Sequence, residues 1–133
     1  MRFMMIVKAT KNTEAGILPT KKEFAEMDKF NEELMKAGII LAGDGLQPSS
    51  KGVRVRFSGD KRTVIDGPFA ETKELIAGYG IWKVNSKAEA IEWAKRAPFH
   101  NGEEVEIRQI FEAEDFADAL PSLATAQERK NER

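Results

Sequence analysis

Three carboxylates in this chain are set in surroundings that could put them to chemical use. Asp44 lies between two glycines in Gly43-Asp44-Gly45. Asp66 opens, and Glu71 sits inside, the block Asp66-Gly67-Pro68-Phe69-Ala70-Glu71-Thr72-Lys73-Glu74. A positioned carboxylate can act as general base or general acid, and confinement is the usual way such a group is tuned. Groups able to bind or orient a substrate stand nearby in sequence: Thr72 and Lys73, Tyr79 within Gly78-Tyr79-Gly80, and Arg108 among the apolar residues Ile107 and Ile110. A guanidinium can clamp a carboxylate through two hydrogen bonds, and a phenol can donate one. Each also has a plain structural reading. Asp44 would be a bulge residue, Tyr79 a core or interface residue, Glu71 and Lys73 a surface pair, and Asp66 the acceptor of an Asx-type turn.

The two glycine pairs carry a stronger geometric implication. Glycine within a strand allows close approach of backbone or ligand. Matching pairs on neighbouring antiparallel strands would leave a cavity floored by backbone, with Tyr79 presenting its hydroxyl there. Gly43-Asp44-Gly45 is not a dinucleotide fingerprint, since the third glycine and the following helix are missing. There is no cysteine and one histidine, His100, in the loop Phe99-His100-Asn101-Gly102, so thiolate chemistry and a zinc ligand set are excluded. No phosphate loop or nucleophile elbow occurs. The chemistry that remains is acid/base catalysis with no cofactor and no metal.

Charge narrows the partners. With 21 basic and 22 acidic residues the net charge is −1, which offers no general field for nucleic acid or an anionic membrane. No apolar run approaches a membrane span, and Met1 to Val7 is too short for a signal peptide. A cytoplasmic protein is expected.

The elements that must position these groups follow from periodicity. Phe3 to Val7 reads as a buried strand and Lys11 to Pro19 as a polar link. Thr20 and Glu23 form a capping box for a helix with Phe24, Met27, Phe30, Asn31, Leu34 and Ala37 on one arc, ended by Gly38. Ile39 to Ala42 is a strand; Val53 to Phe57 and Thr63 to Asp66 alternate as a hairpin around Ser58-Gly59-Asp60. Leu75 to Val84 is a longer strand, and Ser86 with Glu89 caps a helix running to Ala97 before Pro98. Glu104 to Phe111 is the last strand. Without the hairpin the order is strand, helix, strand, strand, helix, strand. That order predicts an α+β, ferredoxin-like split βαβ fold with an inserted β-hairpin. Both helices then cover one sheet face, and Leu41 or Ile40, Val53, Val55, Phe57 and Ile81 would need a second subunit over the other. Residues 1–113 are read as the domain. Residues 114–133 are read as a tail with a short helix over Asp115 to Leu120 and a partly disordered end.

Ala42 to Pro48 (AGDGLQP), Asp66 to Glu74 (DGPFAETKE), Gly78-Tyr79, Ala90 to Pro98 (AIEWAKRAP) and Val105 to Arg108 (VEIR) together resemble the DGPF-domain proteins of the YCII-related family. The resemblance extends to Phe111 with the motifs in order. It implies a protomer of the dimeric α+β barrel superfamily, pairing sheet to sheet as a homodimer. It also implies two functional directions. Some YCII-related proteins carry a His–Asp pair in a pocket and are viewed as enzymes. DGPF proteins are often encoded beside extracytoplasmic-function sigma factors. His100 does not fall at the position of the family's histidine, so no catalytic histidine is carried onto it.

The expected function is binding or conversion of a small molecule in a polar pocket beside the DGPF loop. Asp44, Asp66 and Glu71 would be the acid/base groups, and Lys73, Tyr79, Arg108 and Thr72 the binding groups. A ligand sensor would use the same pocket and signal through dimer geometry. The alternative of a different kind is a non-enzymatic regulatory partner of a sigma factor.

Overall fold

The computed structural model describes residues 1–117 of the 133. In chain order the elements are β1 (Arg2–Lys8), α1 (Lys11–Glu14), α2 (Lys21–Lys36), β2 (Ile40–Gly45), β3 (Val53–Ser58), β4 (Lys61–Asp66), β5 (Ile76–Lys83), α3 (Lys87–Ala94), β6 (Val105–Gln109) and α4 (Ala113–Phe116). Four strands form one sheet in the order β2-β5-β1-β6, with every neighbouring pair antiparallel. This is the ferredoxin-like arrangement, and β3 and β4 stand outside it as a separate two-stranded sheet.

Alternation along the strands decides which side is covered. Phe3 pairs with Trp82, and Trp82 with Ile40, so these side chains share a face; Met5, Gly80 and Gly43 follow on the same side. Phe3, Met5 and Trp82 are buried there against Phe30 and Leu34 of α2 and Ala90 of α3, with Ile39 and Val84 closing the cluster. The helix starts on Thr20, whose hydroxyl accepts from the Glu23 N–H at 3.2 Å while the Thr20 N–H donates to Glu23 Oε1 at 3.0 Å. Such a reciprocal cap satisfies two backbone N–H groups that would otherwise lack a partner at the helix start. Gly38, at φ +69°, turns the chain out of α2.

Several local expectations change. The polar link after β1 contains the four-residue helix α1, capped by Thr10 and Thr13, which is too short to leave a periodic pattern. The third helix ends at Ala94 rather than Ala97. The chain tightens there into bonds from the Arg96 N–H to Trp93 O and from the Ala97 N–H to Ala94 O, both 3.1 Å, the usual way a last turn satisfies its carbonyls. At its start Ser86 accepts from the Glu89 N–H, but Glu89 reaches back to the Asn85 N–H instead of that of Ser86. The short helix expected at Asp115 lies at Ala113–Phe116, and the rest of that expectation falls outside the described residues.

The DGPF block closes a junction between three chain segments. The Gly67 N–H donates to Gly52 O at 2.9 Å, and the Phe69 N–H donates to Ser49 Oγ at 3.1 Å. The Ser49 hydroxyl and N–H both donate to the Glu14 carboxylate, the latter at 2.9 Å. The expected Asx-type turn at Asp66 cannot take its usual form, because the residue two positions on is Pro68, which has no N–H. Glu71 and Lys73 do not share an extended segment either, since Thr72–Glu74 forms a 3-10 turn. Phe69 is half-buried, with the Arg54 guanidinium 3.7 Å from its ring centroid.

A Cβ on Gly67 would lie 1.8 Å from the Ser49 carbonyl oxygen, so Gly67→Ala is expected to destabilise the fold by about 1–3 kcal/mol, as overpacking does, read as a lower urea midpoint. The Ser49 hydroxyl, and then its N–H, hold the Glu14 carboxyl below the usual glutamate value. A carboxylate with a depressed folded pKa contributes stability above its unfolded pKa, about 4.3, and loses it as pH falls through the folded value. Ser49→Ala is therefore expected to cost stability at pH 7, with the difference from wild type narrowing in urea titrations taken progressively below pH 4.3.

Candidate functional site

A cavity of about 430 Å³ lies between the sheet and its covering helices. Gly43 and Gly45 of β2 border it together with Gly78 and Gly80 of β5, and in the pairing Gly43 meets Gly80 while Gly45 meets Gly78. Where Cβ atoms would normally stand the floor is bare backbone. Val7 and Met5 extend that floor, while Phe24, Met27, Phe30 and Asn31 of α2 and Ala97 to His100 after α3 supply the opposite wall. The surroundings are mostly apolar, with the Asn31 amide, Thr13, Glu103 and the Glu23–His100 pair as polar exceptions.

Glu23 and His100 are joined by a hydrogen bond of 2.8 Å between Oε2 and Nε2. The other oxygen of Glu23 accepts from the Thr20 N–H, so one carboxylate caps α2 and holds the imidazole. The Glu23 carboxyl is held below its ordinary range, first by the Thr20 N–H, then by the Thr20 side chain and His100. Its place in the first turn of a helix favours the anion further. An ionised Glu23 can only accept, so the proton of a neutral His100 resides on Nε2 and the lone pair on Nδ1.

The residues singled out from the sequence are distributed differently. Alternation that turns the glycines toward the cavity turns Asp44 and Tyr79 to the other face of the sheet, although their strand backbone borders the cavity. There the Tyr79 hydroxyl donates to Asp44 Oδ2 at 2.8 Å. That bond, followed by the carboxylate's charge, raises the Tyr79 pKa, so the phenol stays protonated. Tyr79 does not present its hydroxyl to the cavity as expected. Asp66, Glu71, Thr72 and Lys73 do not line the cavity; they follow the hairpin, and of these only Thr72 is half-buried, the others being exposed. Asp44 is exposed too. Arg108 is 72% exposed on the helix-free face, 3.9 Å from Glu106.

His100 and Glu23 were not legible as a pair, because 77 positions separate them. The available signals were a capping glutamate opening an apolar helix and a histidine in the loop just after a helix stop. The glycine pairs, by contrast, were an accessible clue to the cavity floor.

A ferredoxin-like domain with a glycine-floored cavity between sheet and helices is the class that fold and site define. The YCII-related domain family matches residues 1–114, and the chain belongs to that family. An uncharacterized protein of Rhizobium meliloti (strain 1021) is 30% identical over 70 residues, 53% of this chain and 56% of that relative, so the match spans about half of each. Among solved structures, 5-chloro-2-hydroxyhydroquinone dehydrochlorinase (TftG) from Burkholderia phenoliruptrix AC1100, in complex with 2,5-dihydroxybenzoquinone, is similar over 86% of this chain and 98% of its own, with 14% identity and a TM-score of 0.43. Among the described residues no helix is long and apolar enough to cross a membrane.

A Cβ on Gly45 would meet nothing within 4 Å, whereas one on Gly78 would lie 3.0 Å from the Asp44 carbonyl oxygen. Gly45→Val is therefore expected to keep the melting temperature while weakening binding of the apolar fluorophore 1-anilinonaphthalene-8-sulfonate by about tenfold or more, which corresponds to roughly 1.4 kcal/mol. Gly78→Val is expected to destabilise the protein by about 1–3 kcal/mol, measured by thermal melting.

Proposed function

We propose that this protein binds a compact, largely apolar organic molecule in the cavity and exchanges a proton with its polar end through His100. The observation that carries this reading is the Glu23–His100 hydrogen bond on the wall of a 430 Å³ apolar cavity, a volume in the ordinary range for small-molecule sites. Glu23 acts as a positioning residue. Its anion orients the imidazole and stabilises the imidazolium that forms when Nδ1 accepts a proton. The Asn31 amide offers a donor and an acceptor to the bound molecule. Suitable substrates are phenols, enols or carbon acids, which present one acidic proton on an otherwise apolar body. In this reading His100 carries the proton-transfer role in place of Asp44, Asp66 and Glu71, all exposed in the protomer. Lys73, Thr72, Tyr79 and Arg108 then bind no ligand inside the cavity of a single chain.

The protein is further proposed to work as a homodimer. Ile81, Met4 and Ile6 lie half-buried on the helix-free sheet face, with Leu41 exposed at 52% beside them, and this surface suits a second sheet. Partnership with a sigma factor draws on the family resemblance alone.

The test is a thermal-shift and NMR screen of phenols, aryl carboxylates, aryl amines and 1,3-diketones in D₂O. Binders are expected to stabilise the protein, and activated C–H groups to exchange with solvent deuterium. His100→Gln is expected to slow that exchange by about 10²-fold or more, the scale of general acid–base catalysis, while affinity changes by a small factor. Unchanged exchange in that variant would remove His100 from the chemistry; stabilisation without exchange in the wild type would make the protein a sensor.

A further inference from the structure

The β3–β4 hairpin is the part of the fold that the protomer does not explain. A two-stranded ribbon alone is marginally stable in water, and this one joins neither edge of the main sheet. Register places Val53, Val55, Val64 and Phe57 on one of its faces, and they are 57, 48, 64 and 69% exposed. Its charge is one-sided. Lys51, Arg54, Arg56, Lys61 and Arg62 stand against Asp60 and Asp66, and none of the five cations forms an ion pair among the described residues.

The far edge of the molecule has the opposite character. Among the described residues β6 pairs only with β1, which leaves its outer side unpaired there. From residue 103 to 117 there are six acids, Glu103, Glu104, Glu106, Glu112, Glu114 and Asp115, against Arg108 alone. Glu112 is matched by Arg2 at 2.8 Å and Glu106 approaches Lys8 at 3.8 Å, which leaves four acids without a cationic partner among the described residues. Phe111 is 69% exposed beside them.

We infer that the hairpin of one protomer docks on the β6 edge and α4 of a second copy, reciprocally. The hairpin leaves the sheet from β2, and β2 and β6 are opposite edges, so a chain's hairpin stands across the sheet from its own acidic edge. A two-fold axis that lays β2 over the partner's β6 brings both contacts together, as a self-complementary interface requires. The apolar hairpin face then covers Phe111, and Arg62, which shares that face with Phe57, meets the acids together with Arg54, Arg56 and Lys61, whose long side chains reach around from the other face. This contact rests on the homodimer reading and specifies where it is held.

Charge reversal tests it. One variant carries Arg56→Glu and Arg62→Glu, the other Glu104→Lys and Glu114→Lys, both of which lie outside the cavity lining, and sedimentation velocity at micromolar concentration reads the assembly. Each variant alone is expected to weaken dimerisation by about a hundredfold, since like charges then face across the interface. Mixed, the two are expected to form a heterodimer, because both contacts regain opposite charges. Circular dichroism melts verify that each variant is folded, and if one is not, Phe57→Ser with Val55→Ser provides a second probe of the same face. A wild-type monomer would overturn the contact and the homodimer reading together. A wild-type dimer unaffected by reversal would overturn the contact alone. Loss of hairpin amide signals on adding phosphatidylglycerol vesicles, with the dimer unaltered by reversal, would assign the surface to a membrane and overturn it as well.

Discussion

The alternation of side chains over Gly43–Gly45 of β2 and Gly78–Gly80 of β5, reached after an irregularity between Ile40 and Ala42, governs this molecule. Two strands meet with glycine opposite glycine twice, and the interior gains a floor with no side chains on it. The same alternation expels Asp44 and Tyr79 to the opposite surface, where they satisfy one another. One constraint therefore makes the cavity apolar and removes from it the two polar residues nearest in sequence. Whatever acid or base serves the cavity has to come from another element.

The pair proposed for that role stands at the start of α2 and in the loop before β6. Glu23 is first a capping residue, required for α2 to begin where it does, and its second oxygen remains available for an imidazole. Because the carboxylate is already fixed by the helix start, orienting His100 asks little additional ordering of Glu23. The histidine itself rides on the exposed loop after α3, so sheet and helices build the container and a connection brings the Glu23-bound imidazole to its wall, a division between scaffold and loop that is common in proteins.

Much of the architecture could be read directly. The apolar arc of α2, the alternation of Val53, Val55 and Phe57, and the order of elements lead to the observed sheet, with strand ends shifted by one to three residues. Glycine pairing was also readable, since it needs only two neighbouring strands in register. What escaped was tertiary in origin. Nothing local links Glu23 to His100, and nothing local shows that Gly67 lies against the Ser49 carbonyl. The DGPF block carries four charges and attracts a functional reading, yet its observed contacts in the protomer are backbone amides on Ser49 and Gly52 and a stacked arginine. Polar composition there reflects a surface junction in the single chain.

That junction sets a rule for how the ribbon can vary. The bond between Gly67 and Gly52 anchors both legs at the root, so the ribbon behaves as an arm on a fixed shoulder. Lengthening each leg by two residues would extend its reach and preserve which side chains look up. Lengthening each by one would turn the added tip over. Related proteins can thus differ in arm length by even steps and keep the same palm.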